Sequence, residues 1–255
     1  MVSIRNNKEI EKIRESCKRL ALVMKEIGKN IKIGVDTLSL DKIAENAILE
    51  LGGIPAFKNY GSEIGKPYPA SICASLNDEI VHGIPSEKII IKEGDILKID
   101  VGMKYDGMFS DMARTFAIGK IEKKAQKLIE ITEKSFWKGV SKIKNGAMLS
   151  DYSKVVQKYV ELNGFSVVRD LVGHGIGTEL HEDPQIMNYW EEEYYQDLKL
   201  RTGMVLAIEP MINEGSFHSK IEKNGWVFKT KDGKLSAHYE NTVLVTDDGY
   251  EVLTK

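Results

Sequence analysis

Four acidic residues beside apolar segments are the positions at which this sequence could do chemistry. Asp100 follows Ile96-Leu97-Lys98-Ile99, and Asp111 lies on the segment that returns from it. Glu209 ends the apolar run 204–208, and Glu240 precedes a second one at 242–245. Acids beside strands that are predicted to be buried should be paired or coordinate a metal. The pattern therefore favours a carboxylate site.

A hairpin predicted around an Asp-Gly pair at 106–107 brings two of these acids together. In a two-residue hairpin, residue 100 faces residue 111 or 113. Because side chains alternate along a strand, Asp100 and Asp111 share one face in either register. Such like charges destabilise a strand pair by up to about 1 kcal/mol. Either both acids bind a cation, or one of them faces solvent or pairs with Arg114.

One of the five histidines, His174, is enclosed by Gly173 and Gly175. Glycines on both sides let other backbone approach closely and leave the imidazole accessible. Carboxylates with an imidazole suit divalent Mn, Fe, Co or Zn. Four carboxylates and one histidine fit two divalent metal ions, about 3.5–4 Å apart, with open positions that are typical of catalysis. Because the first half has no equivalent of His174, the two metal positions are expected to be unequal.

An internal repeat predicts how the acids are positioned. Helices are predicted over 7–28 and 38–51, with stops at Gly28 and after residue 51, and again over 122–143 and from a cap at Ser150 to residue 162. In each half the helix pair precedes a His-x-x-Pro segment and strands that carry two acids. We predict an α+β fold of two halves, about 1–120 and 121–255, related by a pseudo-two-fold axis. Antiparallel sheets would join over a central dinuclear metal site with helices outside, in a single catalytic domain, 1–255.

Composition excludes several other classes. The formal net charge is -2 and no basic block occurs, which argues against nucleic-acid binding. No stretch approaches the roughly 18 apolar residues of a membrane span, and the N-terminus lacks a signal-peptide core. Two unpatterned cysteines favour a reducing compartment. We therefore predict a cytoplasmic protein without a membrane segment.

Several short segments, in this order, resemble those of the type I methionine aminopeptidases, in the pita-bread metallopeptidase family. The resemblance covers essentially the whole chain and implies that fold. The segments are Asn77–Pro85, Lys98–Gly102, Phe109–Asp111, Gly173–Gly177 through His181–Pro184, Ile208–Met211 and Tyr239–Thr242.

The resemblance implies a ligand set. Asp111 and Glu240 would bridge two metal ions. Asp100 would chelate one ion, and His174 and Glu209 would hold the other. Only N-terminal methionine, ahead of a small second residue, would be removed by a metal-activated water.

The resemblance also implies roles in catalysis and binding. His181 would donate a hydrogen bond to the scissile carbonyl, His82 would contact the scissile nitrogen, and Glu209 would act as general base or proton shuttle. A methionine side chain would fit apolar walls with aromatic and sulfur atoms. The matching wall residues are Tyr68, Cys73, Leu180 and Trp226.

Three departures from the family pattern concern specificity. The loop 60–69 differs from the commonest bacterial form, Leu180 stands where many relatives have Phe, and His238 stands where many have Gln. His238 is therefore expected to alter metal preference. His218, in a polar loop, is expected to be solvated.

The alternatives are a pita-bread peptidase specific for X-Pro bonds and a non-catalytic or creatinase-like relative that lacks metals. About 80 residues precede His82, fewer than the large N-terminal domain of the X-Pro enzymes requires. The complete ligand set disfavours the relatives without metals. The expected partners are nascent polypeptides with an N-terminal methionine and, transiently, the ribosome. The protein is expected to be a monomer.

Overall fold

The computed structural model describes residues 2–193 and 196–255. Within them the helices are α1 Asn7–Asn30, α2 Thr37–Glu50, α3 Lys123–Val140 and α4 Leu149–Leu162, with a short 3₁₀ turn at Ser62–Ile64. The strands are β1 Ile54–Pro55, β2 Ile72–Leu76, β3 Glu79–Val81, β4 Ile96–Tyr105, β5 Met108–Ala117, β6 Ser166–Val167, β7 Gly173–Gly175, β8 Glu182–Ile186, β9 Val205–Ile208, β10 Met211–Asn213, β11 Ser219–Ile221, β12 Phe228–Thr230, β13 Ser236–His238, β14 Glu240–Val245 and β15 Tyr250–Val252.

Helix α1 begins with a capping box. The side chain of Asn6 accepts hydrogen bonds from the first turn, and the side chain of Glu9 accepts one from the Asn6 amide. The predicted stop at Gly28 is wrong, because the helix continues to Asn30. A Cβ at Gly28 would lie 3.4 Å from the ring of Phe116 on β5, so the glycine permits close packing against the sheet.

The predicted cap of the fourth helix at Ser150 is wrong, because the cap is Met148 and the helix begins two residues earlier than a cap at Ser150 implies. Met148 precedes the helix, and its amide donates to the carboxylate of Asp151. Ser150 lies in the first turn, where its amide donates to Asp197 instead. Helix α3 ends at Val140 rather than at residue 143.

The predicted hairpin between β4 and β5 is confirmed. Tyr105 pairs with Met108, so the loop is the two residues Asp106 and Gly107, with φ angles of 46° and 82°. Positive φ at both positions is typical of the turn that matches strand twist. Asp100 pairs with Ala113, one of the two predicted registers.

One antiparallel sheet of nine strands spans both halves of the chain. Its order is β1-β4-β5-β14-β9-β7-β8, with β2 also on β4 and β15 also on β14. The pairing of β5 with β14 joins the halves. Apolar residues of α1 and α2 form one core with the first half of the sheet, and those of α3 and α4 form another with the second half. The predicted α+β pita-bread fold, with helices outside the sheet, is confirmed.

Cys17 and Cys73 are both buried and free. Cys17 lies on the buried face of α1, as its position on the apolar stripe predicted. Among the described residues, no helix is both long and apolar enough to cross a membrane.

Candidate active site

The predicted site residues surround one cavity of about 600 Å³. Strands from both halves of the chain contribute to its wall. The sequence-predicted residues that line it are Tyr68, Cys73, His82, Asp100, Asp111, His174, Leu180, His181, Glu209, Trp226 and Glu240.

The four acids converge because of the sheet register. Ala113 on β5 pairs with Asp100 on β4 and with Glu240 at the start of β14, so the two acids flank one residue across three strands. Asp111 is two residues from Ala113 and therefore on the same face of the sheet. Glu209 directly follows β9, which pairs with β14. The acids of the two halves thus meet where β5 joins β14.

Because these acids are buried, their ionised forms are unfavourable unless a cation lies close to them. Asp100, Asp111 and Glu240 are 9%, 3% and 2% exposed. Loss of water raises the pKa of Asp100 to about 7, with a further increase from Glu209. Burial, with repulsion from neighbouring acids, also places the pKa of Asp111 and of Glu240 well above the usual range. One oxygen each of Asp100, Asp111 and Glu240 is buried and has no hydrogen-bond partner in the part of the chain that the structure describes.

Arg114 does not neutralise these acids. Its guanidinium donates to the main-chain oxygen of Glu240 at 2.6 Å and to the side-chain oxygen of Asn241 at 2.7 Å, and it lies over the ring of Tyr239. The interpretation in which one acid pairs with Arg114 is therefore wrong. A cation from outside the chain remains the compensation that this geometry favours.

His174 presents one ring nitrogen to the acids. Its Nδ1 is 2.9 Å from the main-chain oxygen of Gly175. Because a carbonyl oxygen can only accept a hydrogen bond, Nδ1 carries the proton and Nε2 is unprotonated. Nε2 lies 3.6 Å from Oε1 of Glu209. Burial lowers the pKa of His174 to about 3, so the imidazole is neutral, the state in which histidine binds metals.

The glycines beside His174 have the role predicted for them. A Cβ at Gly173 would lie 2.5 Å from the main-chain oxygen of Ala207, and one at Gly175 would lie 2.2 Å from that of Asp183. Any side chain at either position would push β7 away from a neighbouring segment. The close approach of these backbones positions the His174 ring at the acids.

Donor atoms in the site form two groups that suit metal ions. One is Asp111, His174 and Glu240, and the other is Asp100, His238 and Glu240, each within 4.8 Å. Glu240 belongs to both groups, as a bridging ligand would. Neutral imidazole together with unpartnered carboxylate oxygens is a donor set for a borderline divalent ion. The residues present therefore fit two ions.

Two further histidines line the cavity. His181 is close to His174, with ring centroids 4.3 Å apart, and its Nδ1 is 2.7 Å from the hydroxyl of Tyr60. If the phenol donates to Nδ1, the proton of His181 is on Nε2. His82 packs edge-on to the rings of Trp226 and Phe228. Its φ of 59° is unusual for a residue with a side chain, a type of strain that clusters at functional sites.

The predicted pocket residues form an apolar wall. Tyr68, Cys73 and Leu180 are buried and belong to one core cluster, against which Trp226 packs. The Tyr68 ring meets the Trp226 ring edge-on at 5.2 Å. The Tyr68 hydroxyl also donates to the main-chain oxygen of Gly83 at 2.9 Å, so this residue additionally holds the segment that carries His82.

Sequence reasoning did not identify Tyr60 as a site residue and noted His238 only as a departure. Tyr60 lies in the divergent loop 60–69, and no local sequence pattern links it to His181, which is 121 positions away. For His238 a signal was available. It lies two residues before Glu240 in an extended segment, so the two side chains are expected on one face.

Comparison with known proteins agrees with this geometry. The model of metallopeptidase family M24 matches residues 11–247. The chain belongs to this family. This M24 chain is 48% identical to a methionine aminopeptidase of Clostridium acetobutylicum, over 100% of this chain and 99% of that protein. It is 44% identical to methionine aminopeptidase 1 of Bacillus subtilis, over 100% of each. The crystal structure of a methionine aminopeptidase from Thermotoga maritima matches with a TM-score of 0.94 and 40% identity, over 100% of both chains.

Proposed function

We propose that this chain is a metal-dependent aminopeptidase that hydrolyses the first peptide bond of proteins beginning with methionine. The observation that carries the proposal is the convergence of four acids and His174 beside an apolar wall, in an M24 chain. Full-length similarity to methionine aminopeptidases supports methionine as the residue removed.

Five residues would hold two divalent ions. Asp111, His174 and Glu240 form one group, Asp100 stands in the other group with Glu240, and Glu209 lies between them. When bound, the ions would supply Lewis-acid polarisation of the peptide carbonyl and lower the pKa of a water towards neutrality. Mn, Fe, Co and Zn all suit this donor set.

The remaining chemistry is assigned to side chains at the cavity. Water adds to the carbonyl carbon of the first peptide bond, and the C–N bond then breaks. Glu209 takes the proton from water and returns it to the leaving nitrogen. Glu209 lines the cavity, and its Oε1 lies 3.6 Å from His174 Nε2, so its carboxylate is placed beside the proposed ions and the water that they would bind.

Two histidines would orient the peptide. His181 would donate from Nε2 to the carbonyl oxygen, where negative charge develops. The contact of its Nδ1 with Tyr60 is compatible with this assignment, because Nε2 carries the proton when the phenol donates to Nδ1. His82, packed against Trp226, would contact the scissile nitrogen.

The apolar wall would set specificity. A thioether makes favourable contacts with aromatic rings and with a thiol, and the wall offers Tyr68, Trp226 and Cys73. These residues line the cavity, and selection for a small second residue would follow if they close it beyond the methionine side chain.

The test is release of free methionine from Met-Ala-Ser and Met-Leu-Ser peptides by the full chain. We expect release from Met-Ala-Ser only, loss of release with a chelator and recovery with Mn or Co. Glu209→Gln should lower kcat by at least about 100-fold, because general acid–base catalysis contributes about 10²–10⁴. Exposed His218→Gln is the control. Cleavage of an X-Pro peptide instead would favour the prolidase alternative, and no release with any metal would favour a binding protein.

We further propose that residues 1–255 act as a single catalytic domain, since one sheet contains strands of both halves. Cytoplasmic location, a monomeric state and transient contact with the ribosome stay predictions. Chain synthesis in the cytoplasm would supply the substrate, a new polypeptide with an N-terminal methionine.

A further inference from the structure

His238 is a buried side chain that makes no hydrogen bond to any residue that the structure describes. It ends β13 and is 1% exposed, and within 2–193 and 196–255 neither ring nitrogen has a hydrogen-bond partner. Buried polar groups in folded proteins are nearly always hydrogen-bonded. An imidazole with two unpartnered nitrogens beside a cluster of acids therefore points to a ligand.

The ring is directed at the acids. Its Nε2 is 3.5 Å from Oε2 of Glu209 and 3.9 Å from Oε2 of Glu240, which is too long for good hydrogen bonds. A donor atom of His238 lies within 4.8 Å of donor atoms of Asp100 and Glu240. Donors bound to one ion at about 2.0–2.2 Å lie at most about 4.4 Å apart, so inward movement of a few tenths of an ångström is enough.

Main-chain contacts hold the ring in this position. The Thr115 hydroxyl donates to the main-chain oxygen of His238 at 2.8 Å and accepts from its amide at 3.0 Å. On the other side, His238 pairs with Met211 of β10. These contacts tie β13 to β5 and β10, so the imidazole is presented to the acids by ordered backbone.

We propose that His238 is a sixth protein ligand. It binds the ion held by Asp100 and Glu240, and His174 binds the other ion. The inference rests on the dinuclear centre of the proposed function. Each metal position then has one imidazole, in place of the expectation that His174 alone makes them unequal. A nitrogen donor favours Co, Ni and Zn over Mn and Mg. His238 should therefore shift the metal preference of the position formed with Asp100 and Glu240 towards Co, Ni and Zn.

The test measures metal binding without substrate. Metal-free full-length protein is titrated with Co²⁺ and, separately, Mn²⁺ by calorimetry, as wild type, His238→Gln, His174→Gln and exposed His218→Gln. We expect wild type and His218→Gln to bind two Co²⁺. His238→Gln should weaken one of them by at least about 10-fold, since even groups that only orient ligands contribute about 10–100-fold. The loss for Mn²⁺ should be smaller. His174→Gln should weaken one Co²⁺ as well.

Proton NMR of the cobalt-loaded protein separates a ligand from a hydrogen-bond donor. Two exchangeable, paramagnetically shifted imidazole N–H signals are expected in wild type and one in His238→Gln. This count in wild type does not depend on whether a variant folds. A single such signal in wild type, or unchanged Co²⁺ affinity in His238→Gln, would overturn the assignment and leave the dinuclear centre intact. Wild type that binds no Co²⁺ would overturn both proposals.

Discussion

The electrostatic cost of the acid cluster can be measured by replacing Asp100 with asparagine, which keeps the shape and removes the charge. Burial raises the pKa of Asp100 from an ordinary 3.8 to about 7 in the metal-free fold. At about 1.36 kcal/mol per pKa unit, ionised Asp100 therefore destabilises the metal-free fold by about 4 kcal/mol.

This cost depends on pH in one direction. Because the folded pKa is raised, the unfolded chain ionises first. The penalty therefore grows as pH rises from the unfolded pKa near 3.8 to the folded pKa of about 7, and is complete above it. At pH 5 less than half of the penalty of about 4 kcal/mol is present, and at pH 8 nearly all of it is. Asp100→Asn should thus stabilise the metal-free protein by about 3 kcal/mol more at pH 8 than at pH 5.

Urea unfolding in a chelator at both pH values measures this difference. Asp106→Asn is the matched control, because Asp106 is an acid of the same hairpin whose ion pair with Lys12 is exposed, and asparagine also accepts its positive φ. The control should change the free energy of unfolding by less than about 1 kcal/mol at either pH. In saturating Co²⁺ the order should reverse, because wild type gains the binding energy of a ligand that Asp100→Asn lacks. An Asp100→Asn variant that is no more stable at pH 8 than at pH 5, relative to wild type, would refute the argument.

Three further predictions concern the cavity. Tyr60→Phe removes only the hydroxyl that contacts His181. Because a lost hydrogen bond costs about 1 kcal/mol, kcat should fall about 5- to 10-fold while KM stays nearly unchanged. Equal kcat values for the wild type and Tyr60→Phe would contradict a positioning role. Trp226→Ala opens the wall, and steady-state assays should show KM for Met-Ala-Ser rising and Met-Leu-Ser becoming a substrate, whereas a selectivity identical to wild type would exclude Trp226 from the pocket. Gly175→Ala places a Cβ 2.2 Å from the main-chain oxygen of Asp183, so urea unfolding should show a loss of about 1–3 kcal/mol, and an unchanged midpoint would show that β7 and β8 separate freely.

Local pattern was enough to predict the elements that carry the acids. The apolar stripe predicted α1, and the Asp-Gly pair with period-two alternation predicted the face shared by Asp100 and Asp111. Both signals act between residues that are close in the chain. The wrong predictions concern the ends of elements. Gly28 is expected to end α1, but the helix continues to Asn30, and Gly28 packs against the ring of Phe116.

The repeat extended this prediction to the second half. It relates Asp100 to Glu209 and Asp111 to Glu240, and a pseudo-two-fold axis between the halves predicts that the four acids meet at one centre. The pairing of β5 with β14 then brings them together. The metal class also followed from residue types, because carboxylates and imidazole select borderline divalent ions wherever they converge.

The sequence by itself thus determined the fold class, the acids that converge and the chemistry that they suit. Only the tertiary structure decided that Arg114 turns away from the acids, that Tyr60 meets His181 and that the His238 ring faces Asp100 and Glu240. The physical reason is that periodicity sets the direction of a side chain within its own helix or strand. Distances between segments far apart in the chain depend on how whole elements pack, and at this site contacts of a few ångströms decide which groups interact.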